Sequence, residues 1–129
     1  MSHPSMIIYD FDNVLFLWKV DEEERRAYIE RLKKLLEFQK TKGIILAIAS
    51  LSTQAAEIAN QEGLYEYFHM IVHAKTRCQR PCRKAPMLEK IMSTYPTIDV
   101  KDIHFYDDQQ YHVDEAKRFG MQAFLVDPL

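Results

Sequence analysis

Two aspartates, Asp10 and Asp12, close an apolar run in the stretch IIYDFDNV (7–14). A second pair, Asp107-Asp108, closes another apolar run in DIHFYDD (102–108). Carboxylates a few ångström apart repel unless a cation or a shared proton intervenes. A hard divalent cation suits them, and Mg²⁺ commonly takes one or two carboxylates together with substrate phosphate. A carboxylate can also attack phosphorus to give an aspartyl phosphate. Its neighbour can then protonate the departing alkoxide and later deprotonate water. Either pair alone is a weak sign, since an Asp after a strand often just caps the next helix. Two acidic strand ends in one sheet are much harder to dismiss.

Other polar residues stand at comparable points. Ser50 ends the apolar run IILAIAS (44–50). Its hydroxyl, with the backbone N–H groups of Leu51 and Ser52, suits a phosphate oxygen at a helix N-terminus; as a plain N-cap, Ser50 or Ser52 would do as well. Lys84 lies at the end of KTRCQRPCRK (75–84), which has five basic residues and no acidic one. A lysine there would neutralise the nucleophile and the phosphate, with Arg83 and Lys75 as rivals for that role. A basic loop at a crevice attracts a phosphorylated, anionic substrate, nucleic acid included. Cys78 and Cys82, spaced C-x3-C, lack a four-ligand zinc set and are expected to be thiols. His69, His73, His104 and His112 form no ligand pattern. Phe16 and Trp18 belong either to the crevice mouth or to the core.

The elements that must position these residues follow from periodicity. Strands are expected over 6–10, 44–50, 68–73, 102–108 and 121–126, none of them alternating, as in a parallel sheet covered on both faces. Between them, Asp21 with Glu24 reads as a capping box opening a helix over 22–42. Tyr28, Leu32, Leu35 and Leu36 form its apolar stripe. Ser52 is placed as the cap of a helix over about 53–62. Leu88, Ile91, Met92 and Tyr95 mark a third helix, and Val113, Ala116 and Phe119 a fourth. Gly43, Gly63 and Gly120 close three of the four. Repeated strand–helix units with right-handed crossovers make a doubly wound, Rossmann-like three-layer α/β sandwich with five parallel strands. Its polar crevice lies beyond the carboxyl ends of the strands, where Asp10, Ser50 and Asp107-Asp108 fall.

A chain of 129 residues with 47% hydrophobic and 28% charged residues is expected to form one globular domain over 1–129. The net charge of −2 gives no bulk attraction to nucleic acid or membrane. No apolar run approaches the roughly 20 residues of a membrane span, and the first residues do not read as a signal peptide. Two cysteines and no leader point to a reducing, cytoplasmic setting.

Four stretches in order, DFDNV (10–14), Ser50 after IILAIA, Lys84, and DD (107–108) after IHFY, resemble the motifs of the haloacid dehalogenase superfamily. The resemblance covers essentially the whole chain and is nearest to its small, capless magnesium-dependent phosphatases. It implies that Asp10 is the nucleophile and an Mg²⁺ ligand. Asp12 becomes the general acid/base, with its backbone carbonyl on the metal. Ser50, Leu51 and Lys84 hold the phosphoryl group, Asp107 binds Mg²⁺ directly, and Asp108 acts through water or by orienting its neighbours. It also implies a sheet order of 3-2-1-4-5 and no inserted cap, hence an open site that admits bulky or small phosphate esters. Asn13 and Val14 depart from the Gly and Thr of many relatives. Two other readings remain at this level: an inactive binding module of the same fold, and a receiver-type signalling domain. The receiver requires a phosphoaccepting aspartate near mid-chain, where this chain has Ser50.

Overall fold

The computed structural model describes residues 3–76 and 82–127. Five strands alternate with four helices: β1 Met6–Tyr9, α1 Glu22–Thr41, β2 Ile45–Ser50, α2 Ala55–Gln61, β3 Met70–His73, α3 Ala85–Thr94, β4 Ile103–Asp107, α4 Gln110–Arg118 and β5 Gln122–Leu125. Short 3₁₀ turns at Tyr65–Tyr67 and Val100–Asp102 lead into β3 and β4. All the strand pairings are parallel, in the order β3-β2-β1-β4-β5. This is the doubly wound sheet expected from the sequence, in the expected order.

The period of two along each strand divides the core. Ile7, Tyr9, Leu46 and Ile48 face a cluster with Tyr28, Ile29, Leu32 and Leu36 of α1 and Ala55 and Ala59 of α2. Met6, Ile8, Ala47 and Ala49 face a second cluster with Leu88 and Ile91 of α3 and Val113 and Ala116 of α4. With apolar residues required on both faces, β1 is buried throughout and β2 nearly so, whereas β4, expected not to alternate, alternates buried and half-buried residues because His104 and Tyr106 face the less covered side.

Two local expectations change. Ile29 joins the buried stripe of α1, whereas Leu35 is 38% exposed. At 100° per residue Leu35 sits at the margin of the arc from Tyr28 to Leu36, where the sheet no longer covers it. The second helix begins at Ala55, not near 53, and Ser52 is not its cap. Instead the Ser52 hydroxyl accepts from the Gln54 amide at 3.2 Å, closing a turn ahead of the helix. The Asp21 cap holds: Asp21 Oδ1 accepts from the Glu24 amide at 2.7 Å.

Candidate active site

β1 lies between β2 and β4, where the sheet changes direction of winding. Such a switch point opens a crevice beyond the carboxyl ends of the strands. Tyr9 pairs with Tyr106, so the next residues, Asp10 and Asp107, leave adjacent strands level with one another. The Asp10 amide still donates to the Tyr106 carbonyl at 2.9 Å, which fixes where the carboxylate emerges.

Lys84 joins the two. Its Nζ donates to Asp10 Oδ1 and to Asp107 Oδ2, each at 2.7 Å. All three side chains are buried, and Lys84 is only 2% exposed. Burial would pull the ammonium pKa down, but Asp10 and Asp107 outweigh it and hold it above the ordinary lysine value. Of the three basic rivals, Lys84 therefore takes the position. Lys75 is exposed, and the Arg83 guanidinium turns outward to Glu115 at 2.8 Å. Asp107 also closes a turn ahead of α4, its Oδ1 accepting from the Gln109 amide at 3.0 Å.

Asp10, Asp107 and Asp108 each bring one carboxylate oxygen within 4.8 Å of the others. Burial raises the Asp10 carboxyl to about 8; Lys84 opposes that shift and Asp107 adds to it. Burial also raises Asp108, which shares a hydrogen bond with Asp10. With all three carboxylates ionised, as a bound cation would hold them, the cluster and the Lys84 ammonium would together carry two negative charges. An all-oxygen donor set with that charge fits a hard divalent cation such as Mg²⁺.

Asp12 goes another way. Its carboxylate is half-buried and outside the acidic cluster, and its Oδ1 accepts from the Trp18 indole N–H at 2.8 Å. The turn between them is tight: the amides of Val14, Leu15 and Phe16 all point to the Phe11 carbonyl. Asn13 adopts φ 61°, a left-handed conformation that Asn tolerates better than most residues. Asn13 thus takes a backbone conformation that otherwise favours Gly.

Ser50 is fully buried, and its Oγ accepts from the Ser52 amide at 3.0 Å. The Ser52 N–H, one of the two amides expected to hold phosphate, is thus already engaged. Leu51 borders the site directly. A polar chamber of about 70 Å³ is lined by Asp10, Asp12, Leu51, Lys84, Asp107, Asp108, Gln109 and His112.

Two site residues were not singled out from the sequence. Glu115 of α4 is buried and grips the start of α3. Its Oε1 accepts from the Lys84 amide at 2.9 Å and the Ala85 amide at 3.1 Å, while Oε2 takes Arg83. Lys84 is the N-cap of α3 but provides no side-chain cap of its own, so Glu115 supplies it from another helix. A glutamate on the otherwise apolar face of Val113 and Ala116 was the available sign. His112 lines the chamber with a buried Nδ1 that has no hydrogen-bond partner among the described residues. Burial first, then Lys84, pull its pKa down.

The basic stretch is only partly visible in the structure, since Arg77, Cys78 and Arg80 lie outside the described residues. Cys82, expected to be a free or redox-sensitive thiol, is disulfide-bonded, and a disulfide sulfur offers no thiolate to a metal. No helix among the described residues is long and apolar enough to cross a membrane.

No family model and no curated protein matches the chain. Solved structures do. One from Clostridium difficile, named as a candidate phosphatase, superposes with a TM-score of 0.75 at 15% identity, over 95% of this chain and 85% of that one. A haloacid dehalogenase-like hydrolase from Streptococcus pneumoniae gives 0.69 at 13% identity, over 95% and 84%. The N-terminal part of a Bacteroides fragilis protein, containing a phosphatase domain complexed with Mg, gives 0.66 at 17% identity, over 95% and 36%. The chain therefore has the haloacid dehalogenase-like fold, as the sequence motifs imply.

Proposed function

We propose that this protein is an Mg²⁺-dependent phosphomonoester hydrolase with an open, capless site that works through an aspartyl phosphate on Asp10. The observation that carries the reading is the buried Lys84 bridge between Asp10 Oδ1 and Asp107 Oδ2. Burying an ammonium and two carboxylates side by side is costly and is not needed to hold this fold together. It is expected where one carboxylate must be aimed, and Lys84 opposes the burial that raises Asp10.

Lys84 holds Oδ1 of Asp10 and leaves Oδ2 for attack. As the Asp10–phosphorus bond forms, the ester P–O bond breaks and its electron pair moves to the leaving oxygen. Asp12 gives that oxygen a proton. The resulting Asp12 carboxylate then takes a proton from water, which attacks phosphorus and releases Asp10 as a carboxylate. Leu51 lines the chamber together with Lys84, and its amide, with Ser50, would receive phosphoryl oxygens. Asp10, Asp107 and Asp108, with the Asp12 backbone carbonyl, would hold Mg²⁺. When bound, the ion would supply charge to the phosphoryl oxygens and lower the carboxyl pKa of Asp10.

The test is phosphate release across a panel of sugar phosphates, nucleotides, phosphopeptides and phosphorylated nucleic-acid ends, with Mg²⁺ and with chelator. Turnover that needs Mg²⁺ and vanishes in Asp10→Asn is the expected result. Retained Mg²⁺ binding without turnover of any substrate would replace the proposal by an inactive binding module.

A further inference from the structure

Beside the 70 Å³ polar chamber lies a second, open cavity of about 550 Å³, lined by Asp12, Asn13, Trp18, Leu51, Ser52 and Thr53. The two share Asp12 and Leu51. On the reading of the small chamber as the phosphoryl site, a phosphate ester bound there sends its leaving group past Asp12 into the large cavity. We infer that this cavity binds a leaving group carrying a planar aromatic ring, with Trp18 as its platform.

Trp18 is 45% exposed and lines the cavity. It is held in place from several sides. Its indole N–H is fixed on Asp12 Oδ1 at 2.8 Å, and its ring meets the buried Phe16 edge-on at 4.8 Å. Its backbone N–H donates to Asn13 Oδ1 at 3.4 Å. Arg25, reaching from α1, donates to the carbonyls of Leu17 at 2.7 Å, Trp18 at 3.4 Å and Val20 at 3.3 Å. The same guanidinium stacks over Phe16 at 4.9 Å. An exposed indole whose N–H and backbone are both committed offers a ligand its remaining apolar surface, already ordered. Leu51 supplies a second apolar wall, and Asn13, Ser52 and Thr53 supply polar groups at the edge. The platform also lies next to the acid that contacts the leaving oxygen, so a ring near the ester oxygen would reach it.

Trp18 is the chain's single tryptophan, so its fluorescence reports this site alone. Benzylphosphonate, which cannot be hydrolysed, is titrated against ethylphosphonate in the Mg²⁺-loaded wild-type protein. The ring-bearing compound is expected to quench Trp18 and to bind about tenfold more tightly, the lower end of aromatic stacking contributions. Phenyl phosphate and adenosine monophosphate are then compared with glycerol phosphate as substrates. A preference for phenyl phosphate places the ring next to the ester oxygen, and one for the nucleotide places it further out. Trp18→Ala is expected to cut kcat/KM about tenfold more for the preferred ring substrate than for glycerol phosphate, and Trp18→Phe to restore most of the difference. Equal binding of the two phosphonates, or equal losses on all substrates in Trp18→Ala, would overturn the inference. If no phosphate ester turns over, the phosphatase reading fails, while the phosphonate titration still decides the ring site.

Discussion

Asp10 and Asp12 are two residues apart and live in different physical worlds. Asp10 belongs to the floor of the crevice: buried, ion-paired to Lys84, level with Asp107 across a strand ladder, and gripped through Lys84 by Glu115. Asp12 belongs to the rim, half-buried on a tight turn, with an exposed indole as its partner. The floor is set by backbone ladders and charge, and the rim by a loop that Arg25 pins to α1. A group that must attack one defined atom benefits from the first setting. A group that must exchange protons with the leaving group and water needs the second. On the proposed mechanism, the two carboxylates are suited to different steps by where the strand ends, not by their own chemistry.

The comparison can be broken at either level. The largest effect is expected for Asp10→Asn, a loss of about 10⁴-fold or more in turnover, as for other covalent nucleophiles. Its fold should survive, because the amide keeps an acceptor for Lys84; circular dichroism checks this. Lys84→Met leaves two buried carboxylates without their cation. It is expected to lower stability by about 3–5 kcal/mol, read by urea denaturation without Mg²⁺. Asp12→Asn should cost about 10²–10⁴-fold in turnover. Its loss should be larger for alkyl than for nitrophenyl esters, whose leaving groups need no proton. Because Asp12 sits on the rim, the melting temperature should move little, and a change as large as that of Lys84→Met would abolish the distinction.

Glu115→Ala removes the acceptor of two buried amides at the start of α3, with an expected cost of about 1–3 kcal/mol. If Glu115 positions Lys84, Glu115→Gln should recover part of the activity as well as stability. The smallest effect concerns pH. Without metal, burial raises Asp10 from 3.8 to about 8, so the folded protein binds that proton more tightly than the unfolded chain does. The corresponding stability is complete below about pH 4 and is lost as pH rises towards 8. Mg²⁺ binds the ionised form, so it should raise the melting temperature more at pH 8 than at pH 5. An equal rise at both would contradict this.

The floor was largely legible in the sequence. Asp10, Ser50 and Asp107 end non-alternating apolar runs, and that pattern gives both the strand and the direction of its end. Lys84 was narrowed only to three basic residues, since sequence does not say which of them is swallowed by the sheet. The rim was less legible. The Trp18–Asp12 bond depends on a six-residue turn with Asn13 at positive φ, and no periodicity encodes it. Glu115 was missed because its partners lie some thirty residues back and two of the three are backbone amides, which carry no side-chain signature. The displaced start of α2 has a similar cause: the Ser52 hydroxyl serves a turn, as it would a helix cap, and only the folded backbone distinguishes them.

The division between floor and rim rests on Asp10 as the atom that attacks. The most direct measurement is peptide mass spectrometry of protein quenched in acid during turnover of a phosphate ester with Mg²⁺. One phosphoryl group on the peptide containing Asp10, absent from Asp10→Asn and accumulating in Asp12→Asn with a nitrophenyl ester, is the expected result. A phosphoryl group on another residue, or full-rate phosphate release by Asp10→Asn, would contradict the account.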